Sequence, residues 1–238
     1  MNTELEPRII VALDFKSVDD ANRFIDTIEP SQCRLKVGKE LFTRSGPDFV
    51  RSLHDRGFEV FLDLKFHDIP NTVAKACEAA CDLGVWMLNV HALGGRKMME
   101  AAAKAIDNSG TSVHLIAVTI LTSMDTTDLA EIGLQGEPHE HVINLAKLAH
   151  NSGIGGVVCS PLEVTSLRQE VGQDFLLVTP GIRPQDADKQ DQKRTMTPVE
   201  AIQAGSSYLV IGRPITQADN PMSKMLTINS ELSLQVPA

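Results

Sequence analysis

The sequence has few cysteines and no long apolar run, and both absences restrict the class of protein. Its four cysteines, Cys33, Cys77, Cys81 and Cys159, include no C-x-x-C pair of the kind found in redox and zinc sites. We therefore expect buried, reduced thiols. No apolar stretch approaches the length of a membrane span, and the polar, acidic residues 1–6 lack the layout of a signal peptide. These features predict a cytoplasmic protein.

Positive charge is also in deficit. The chain carries 22 Lys and Arg against 31 Asp and Glu, a formal net charge of -9. This balance argues against broad binding to nucleic acid or to acidic membranes, because both require an extended positive surface. An anionic ligand must therefore meet a local cationic pocket.

The length and composition fit one globular domain. The chain has 238 residues, of which 42% are hydrophobic, within the range of a single α/β barrel. We predict one domain over residues 1–238, with a loosely held tail over 230–238.

Short β-rich apolar runs alternate with segments of helical periodicity, which predicts parallel strands joined by crossover helices. No Gly-x-Gly-x-x-Gly follows the first run, so the dinucleotide-binding fingerprint of a Rossmann fold is missing. Eight β-α units in this length predict a single closed (β/α)8 TIM barrel. The predicted strands are 8–14, 34–38, 59–65, 87–91, 114–121, 156–160, 175–180 and 208–212. The predicted helices are 17–29, 47–56, 70–83, 95–107, 139–151, 161–171, 197–204 and 220–229, with a possible short helix at 126–132.

Charged residues occupy the third predicted strand at alternating positions. Side chains alternate between the two faces of a strand, so Asp63 and Lys65 share one face while Leu62 and Leu64 share the other. The leucines can pack on the outer helices, which leaves the charged pair inside the barrel. Lys36 of the second strand has the same inward parity. Active sites of TIM barrels lie at the C-terminal ends of the strands, where these residues fall.

Asp68 follows this strand and extends the alternation of charge to Lys36, Asp63, Lys65 and Asp68. Opposite neighbours compensate each charge, as buried ions require. Two simpler interpretations stay open: Asp68 can cap the helix that begins near Pro70, and an inward ion pair can be purely structural. Four such residues at strand ends favour a functional site.

The segment 63–72, Asp-Leu-Lys-Phe-His-Asp-Ile-Pro-Asn-Thr, resembles the signature of bacterial orotidine 5'-phosphate decarboxylases over ten consecutive residues. That family has an Asp-x-Lys-x-x-Asp core followed by Ile-Pro-Asn-Thr. The resemblance extends from the first strand to the eighth, through segments 11–14, 35–38, 121–124, 179–184 and 210–215.

The resemblance implies decarboxylation of orotidine 5'-monophosphate to uridine 5'-monophosphate, a step of pyrimidine biosynthesis. Lys65 is similar to the family's proton donor, and Asp63 would lie against the substrate carboxylate. Lys36 and Asp14 would hold the ribose hydroxyls. The family is a homodimer in which Asp68, together with Thr72, would reach the site of the other subunit.

The resemblance also assigns the remaining substrate contacts. Thr122, with Ser123 beside it, would contact the pyrimidine. The phosphate would be bound by four residues in the loops after strands seven and eight, where TIM barrels commonly bind phosphate. These residues are Arg183, Gln192, Gly212 and Arg213. The polar segment 183–195 lacks apolar periodicity and is a candidate lid over the phosphate.

We expect no cofactor and no metal, because no thiamine, pyridoxal or metal motif is present. His139 and His141 flank Glu140, but residues two apart do not share a helix face. Two alternatives remain. One is a magnesium-dependent relative on the same scaffold, of the 3-keto-L-gulonate 6-phosphate decarboxylase or hexulose-phosphate synthase type. The other is a non-catalytic nucleotide-binding barrel.

Overall fold

The computed structural model describes residues 6–184 and 195–234. Eight strands pair in parallel in the order β1-β2-β3-β4-β5-β6-β7-β8 and close into a barrel because β1 also pairs with β8. The predicted (β/α)8 fold is thus confirmed. The strands are β1 (Ile9–Ala12), β2 (Arg34–Gly38), β3 (Val60–Phe66), β4 (Met87–His91), β5 (His114–Val118), β6 (Gly156–Val158), β7 (Leu176–Thr179) and β8 (Tyr208–Ile211).

Helices follow the strands around the outside of the barrel. They are α1 (Val18–Ile25), α2 (Lys39–Asp55), α3 (Pro70–Asp82), α4 (Arg96–Ser109), α5 (Thr126–Glu131), α6 (Pro138–His150), α7 (Val164–Val171), α8 (Pro198–Ala204), α9 (Arg213–Thr216) and α10 (Pro221–Ser233). Two 3-10 turns lie at Ala92–Gly94 and Pro161–Glu163. The possible short helix near 126–132 is present as α5.

Several elements differ from the prediction in their bounds, and one helix is additional. Helix α2 begins at Lys39 rather than at 47, and it is kinked at Gly46, which has a φ of 66° ahead of Pro47. The short helix α9 directly after β8 was not predicted. Strand β5 ends at Val118, three residues before the predicted end at 121, since pairing with β6 extends only to Val158.

Local capping residues explain several helix starts. The side chain of Ser17 accepts a hydrogen bond from the N–H of Asp20 at the start of α1. Asp125 and Thr197 each form a reciprocal capping box with the residue three positions later. Such caps satisfy N–H groups that have no partner within the helix.

The apolar core has two layers separated by the sheet. The outer layer fills the space between strands and helices and includes Leu62. The inner layer lies inside the barrel and is formed by Ile10, Ala12, Phe61, Met87, Ile116, Val178 and Val210. Phe61 therefore points inward while Leu62 points outward, which fixes the parity of β3. Asp63 follows the inward parity of Phe61, as predicted.

Arg34 closes the N-terminal end of the barrel and is 3% exposed. Its Nε donates to Glu59 Oε2 at 2.7 Å, and its guanidinium carbon lies 4.2 Å from the centre of the Trp86 ring. Tyr208 lies on another side, at 5.2 Å. An arginine that is ion-paired and stacked on aromatic rings tolerates burial, so Arg34 has a structural role at this end of the barrel.

The C-terminal helix extends farther than predicted. Residues 230–233, assigned above to a loose tail, continue α10, and Leu232 is buried. Asn229 Nδ2 also donates to the carbonyl of Gln32 at 3.0 Å. The apolar contact of Leu232 explains the longer helix, since tertiary packing supplies most helix stability. The remainder of the predicted tail, 235–238, lies outside the described residues.

All four cysteines are buried and free, as predicted. Burial raises the pKa of the Cys33 and Cys77 thiols to about 12. Of the helices in the described ranges, none is long and apolar enough to cross a membrane.

Candidate active site

Three charged side chains meet at the C-terminal ends of β2 and β3. Lys65 Nζ lies 2.5 Å from Asp63 Oδ1, and Lys36 Nζ lies 3.3 Å from Asp63 Oδ2. The Asp63 carboxylate is therefore shared between two ammonium groups. The exposed fractions of the side chains are 10% for Lys36, 13% for Asp63 and 26% for Lys65. The predicted inward cluster of these three residues is present in the structure.

The pKa of Asp63 reflects this surrounding. Burial raises the pKa of the Asp63 carboxyl, but the positive charges of Lys36 and Lys65 lower it. Hydrogen bonds from Lys65 and Asn89 lower it further, so the pKa lies below its ordinary value. Asp63 is consequently an anion at neutral pH.

Lys65 has an unusual backbone conformation. Its φ is 54°, and it is the one described residue other than glycine with positive φ. This left-handed conformation costs roughly 1–2 kcal/mol in a residue with a side chain. Strain of this kind persists only where surrounding contacts enforce it, and it is concentrated at functional sites.

An irregularity in the sheet accompanies this conformation. Leu62 pairs with Leu88 and Phe66 pairs with Val90, so β3 uses four residues where β4 uses two. The resulting bulge re-aims the end of β3, as bulges beside active sites often do. Lys65 is thereby directed over the barrel mouth.

Asn89 of β4 supports both residues of the pair. Its Nδ2 donates to Asp63 Oδ1 at 2.7 Å, and its Oδ1 accepts from the backbone N–H of Lys65 at 2.7 Å. Asn89 was not predicted from the sequence. A usable signal was present, since Asn89 is a polar residue at an inward position of β4, between the apolar Leu88 and Val90.

Asp14 lies at the rim of the same cluster. Lys36 Nζ donates to Asp14 Oδ1 at 3.3 Å, while the Asp14 side chain is 70% exposed. The structure thus brings together the two residues that the resemblance assigned to the ribose. An exposed carboxylate at this point remains available to a ligand.

Asp68 does not join the cluster within this chain. Its Oδ1 accepts from the N–H of Ile69 at 2.7 Å, and Asp68 is exposed. Among the ion pairs of the described residues, none connects it to Lys65. It does not cap α3 either, because the cap residue is Ile69 and no side chain caps that end. The predicted four-residue alternation is therefore wrong within one chain: the bulge directs Lys65 to the mouth, while Asp68 lies outside it.

Exposed residues surround Asp68. Thr72 is exposed in the first turn of α3, and Ile69 is 67% exposed. Asp68, Ile69 and Thr72 therefore lie exposed together at the start of α3.

Two histidines flank the cluster. The rings of His67 and His91 stack with centroids 5.4 Å apart and an interplanar angle of 25°. Burial, together with positive charge from His67, Lys39 and Lys65, lowers the pKa of His91 to about 4. His91 is therefore neutral at physiological pH. His91 was not predicted from the sequence as a site residue.

Two cavities open beside the cluster, and Lys36, Asp63 and Lys65 line both. One, of about 190 Å³, has an apolar wall that includes Val118, Ile120, Leu121, Val158 and Val210, and Thr122 also lines it. The other, of about 150 Å³, is lined by Asp14 and Gly38 among others. Ser123 is exposed and is not among the lining residues of the first cavity. An apolar slot next to convergent charges suits a flat ring with polar substituents.

The structure describes three of the four residues predicted to bind phosphate. Arg183 is 8% exposed and follows β7, while Gly212 and Arg213 follow β8, which pairs with β7. Gly212 precedes the first turn of α9 and has no capping side chain. Gln192 lies outside the described residues, as does most of the candidate lid. The flanks of that segment are joined, because Ile182 pairs with Met196.

No group of three or more His, Cys, Asp or Glu side chains in the described ranges is arranged to hold a metal ion. Larger depressions, of 480 and 530 Å³, lie at the opposite end of the barrel near Glu6 and Arg8. Active sites of TIM barrels lie at the C-terminal face, so we assign the site to the smaller cavities there.

Comparison with known proteins gives a consistent result. The chain matches the profile of the orotidine 5'-phosphate decarboxylase / HUMPS family over residues 7–228. It is 61% identical over 227 residues to the orotidine 5'-phosphate decarboxylase of Hydrogenovibrio crunogenus, covering 95% of this chain and 96% of that protein. It is 59% identical over 230 residues to the enzyme of the same name from Vibrio parahaemolyticus, covering 96% and 99%.

Solved structures agree with the sequence relatives. The crystal structure of orotidine 5'-phosphate decarboxylase from Lactobacillus acidophilus superposes with a TM-score of 0.86 at 40% identity, covering 96% of this chain and 99% of that one. An uncharacterized conserved protein from Geobacillus kaustophilus gives a TM-score of 0.82 at 39% identity, covering 94% and 99%. The chain belongs to the orotidine 5'-phosphate decarboxylase / HUMPS family.

Proposed function

We propose that this protein decarboxylates orotidine 5'-monophosphate to uridine 5'-monophosphate. The observation that carries the proposal is the Lys65 ammonium held 2.5 Å from Asp63 beside an apolar-walled cavity. Family membership and relatives at 56–61% identity, all named orotidine 5'-phosphate decarboxylase, support it.

The chemistry requires electrostatic stabilisation. When the bond between C6 and the carboxylate breaks, the electron pair stays on C6 in an orbital that the ring π system cannot delocalise. An ammonium beside C6 stabilises that charge, and the low-dielectric wall strengthens the interaction. The Lys65 ammonium then transfers a proton to C6 as carbon dioxide leaves. Lys65 is thus both electrostatic stabiliser and acid.

Asp63 has two roles in this scheme. It positions the Lys65 ammonium, and it lies where the substrate carboxylate would face it. Repulsion between the two carboxylates would raise the energy of the bound substrate and disappear as carbon dioxide departs. This second effect is subordinate to stabilisation of the carbanion, because ground-state destabilisation is a contested source of catalysis.

Distant contacts provide the binding energy. Lys36 and Asp14 are suited to the ribose hydroxyls, and Thr122, which lines the apolar cavity, is suited to the pyrimidine edge, whereas the exposed Ser123 lies outside that cavity. Arg183, Gly212, Arg213 and Gln192 are assigned to the phosphate. Binding at the phosphate offsets unfavourable contacts at the reacting end, as in enzymes that use remote binding energy for catalysis.

We assign the exposed Asp68 and Thr72 to the site of a second copy of this chain. Their exposure, with that of Ile69, supports this role. Mixing inactive Lys65→Ala and Asp68→Ala chains tests it. A mixed dimer has one site with both native residues, so random reassortment should restore about a quarter of parental activity. No recovery after reassortment would contradict a shared site.

The magnesium-dependent relatives are the nearest alternative, since one scaffold hosts several chemistries. The proteins that are 56–61% identical to this chain are named orotidine 5'-phosphate decarboxylase, which disfavours this alternative. The purified chain is incubated with orotidine 5'-monophosphate in excess chelator, with substrate absorbance and the uridine product followed together. We expect turnover unaffected by the chelator. Activity that disappears and returns with magnesium would favour the alternative, and uridine 5'-monophosphate binding without turnover would favour a non-catalytic barrel.

Asp174→Asn, in an exposed loop before β7, is the matched control when variants of the cluster are measured in this assay. The substitution removes one negative charge far along the chain from the cluster. It should leave turnover at the parental level.

A further inference from the structure

The side-chain amide of Asn89 on β4 is buried and contacts both Asp63 and Lys65. Asn89 is 1% exposed, and each end of its side-chain amide bonds to a different residue of β3. Buried polar groups in a barrel need such partners, and here both partners belong to Asp63 and Lys65, the residues that form the ion pair.

The orientation of the amide is determined by its partners. The backbone N–H of Lys65 can only donate, so the oxygen of Asn89 faces it at 2.7 Å. The ionised Asp63 carboxylate can only accept, so the nitrogen of Asn89 faces it at 2.7 Å. One side chain of this size must therefore present both an acceptor and a donor, and asparagine does so.

The register break in the sheet explains why the contact is needed. Regular pairing between β3 and β4 is interrupted between Leu62 and Phe66, and Lys65 lies within the interruption at a φ of 54°. The amide of Asn89 accepts the Lys65 N–H there. It also holds the carboxylate that contacts the other end of Lys65, at 2.5 Å.

We propose that Asn89 is a positioning residue that holds Lys65 in its left-handed conformation and fixes the Asp63 carboxylate, so that the ammonium is aimed at the reacting carbon. Asn89 acts through these two residues and does not itself touch the substrate. The inference deepens the proposed function and rests on it for its kinetic consequences.

The kinetic test compares three substitutions. Asn89→Ala removes both hydrogen bonds and should lower kcat about 100-fold, the effect of misplacing a catalytic group by about 1 Å, with KM changed less than about threefold. Asn89→Asp keeps the shape and the acceptor but turns an oxygen toward Asp63, so its kcat should be no higher than that of Asn89→Ala. Asn89→Ser, which can keep one hydrogen bond, should lie between Asn89→Ala and the parent.

A packing role gives the opposite order, since the isosteric aspartate would then retain parental kcat while alanine loses it. That order, parental kcat in all three variants, or an effect confined to KM would overturn the proposal. Thr179→Val is the matched control. Thr179 is a buried strand residue of β7 whose Oγ1 donates to Ser206 at 3.0 Å, and its loss should lower stability without lowering kcat.

A structural measurement separates this inference from the proposed function. Crystal structures of the parent and of Asn89→Ala report the φ of Lys65 and the distance from its Nζ to Asp63 even if the chain has no turnover. We expect φ to leave the left-handed region and the contact to lengthen in Asn89→Ala. Both unchanged would refute positioning by Asn89, whereas absence of turnover in the parent would refute the proposed function alone.

Discussion

Replacing Asp63 with asparagine perturbs the candidate site most informatively, because the shape is kept and one charge is removed. In the parent, that charge faces Lys65 Nζ at 2.5 Å and Lys36 Nζ at 3.3 Å. Lys36 retains Asp14 at 3.3 Å, but Asp14 is mostly exposed. The variant therefore leaves two ammonium groups close together with one weak counter-charge.

The expected cost follows from the burial of the three groups. Breaking a fully buried ion pair costs about 3–5 kcal/mol, and breaking an exposed one costs about 0–1 kcal/mol. Lys36 is 10% exposed and Lys65 is 26% exposed, which lies between these limits. We expect Asp63→Asn to lower the free energy of unfolding by roughly 1–3 kcal/mol at pH 7. Urea unfolding measures this difference.

The difference should depend on pH. The pKa of Asp63 is lowered in the folded protein, so its stabilisation is present above the unfolded pKa of about 4 and is lost as pH falls through the folded value. The gap between parent and Asp63→Asn should therefore narrow below about pH 4. Asp174→Asn is the control. A variant as stable as the parent at pH 7, or a gap independent of pH, would refute the ion-pair explanation.

Three further outcomes are expected. NMR titration of His91 should give a midpoint about 4, because burial and nearby positive charge disfavour its cation, and a midpoint near 6.5 would contradict this. The unfolded chain binds the His91 proton more readily than the folded protein does, so the free energy of unfolding decreases as pH falls from 6.5 to 4. This decrease should be smaller in His91→Gln, and a decrease as large as that of the parent would contradict the prediction. Gly156→Ala should lower unfolding free energy by about 1–3 kcal/mol, because its Cβ would lie 2.5 Å from the carbonyl oxygen of Leu176. Gly155→Ala, whose nearest contact would be 3.5 Å, is its matched control in thermal unfolding, and equal losses would contradict the steric explanation.

Much of the fold could be predicted because each strand carries its own signal. Alternation along β3 was sufficient to direct Asp63 inward and Leu62 outward, and the structure has both orientations. The first part of α2, residues 39–45, was missed because no apolar periodicity marks it and Gly46 interrupts the helix.

The site was less accessible to sequence reasoning, since its decisive contacts cross between strands. The role of Asn89 depends on a break in register between β3 and β4, which a single strand does not encode. The predicted extension of the charge alternation to Asp68 was wrong within one chain for a related reason. The order of charges along the sequence does not specify the path of the chain after a bulge. The backbone strain at Lys65 likewise arises from tertiary contacts.

In the proposed function, the Lys65 ammonium carries the chemical step while other residues bind the nucleotide. Lys65→Ala tests this division of roles when it is assayed for decarboxylation of orotidine 5'-monophosphate and for binding of uridine 5'-monophosphate. We predict binding within about tenfold of the parent and a loss of turnover by several orders of magnitude, as expected when a transition-state interaction is removed. Near-parental decarboxylation by Lys65→Ala would contradict the role proposed for Lys65.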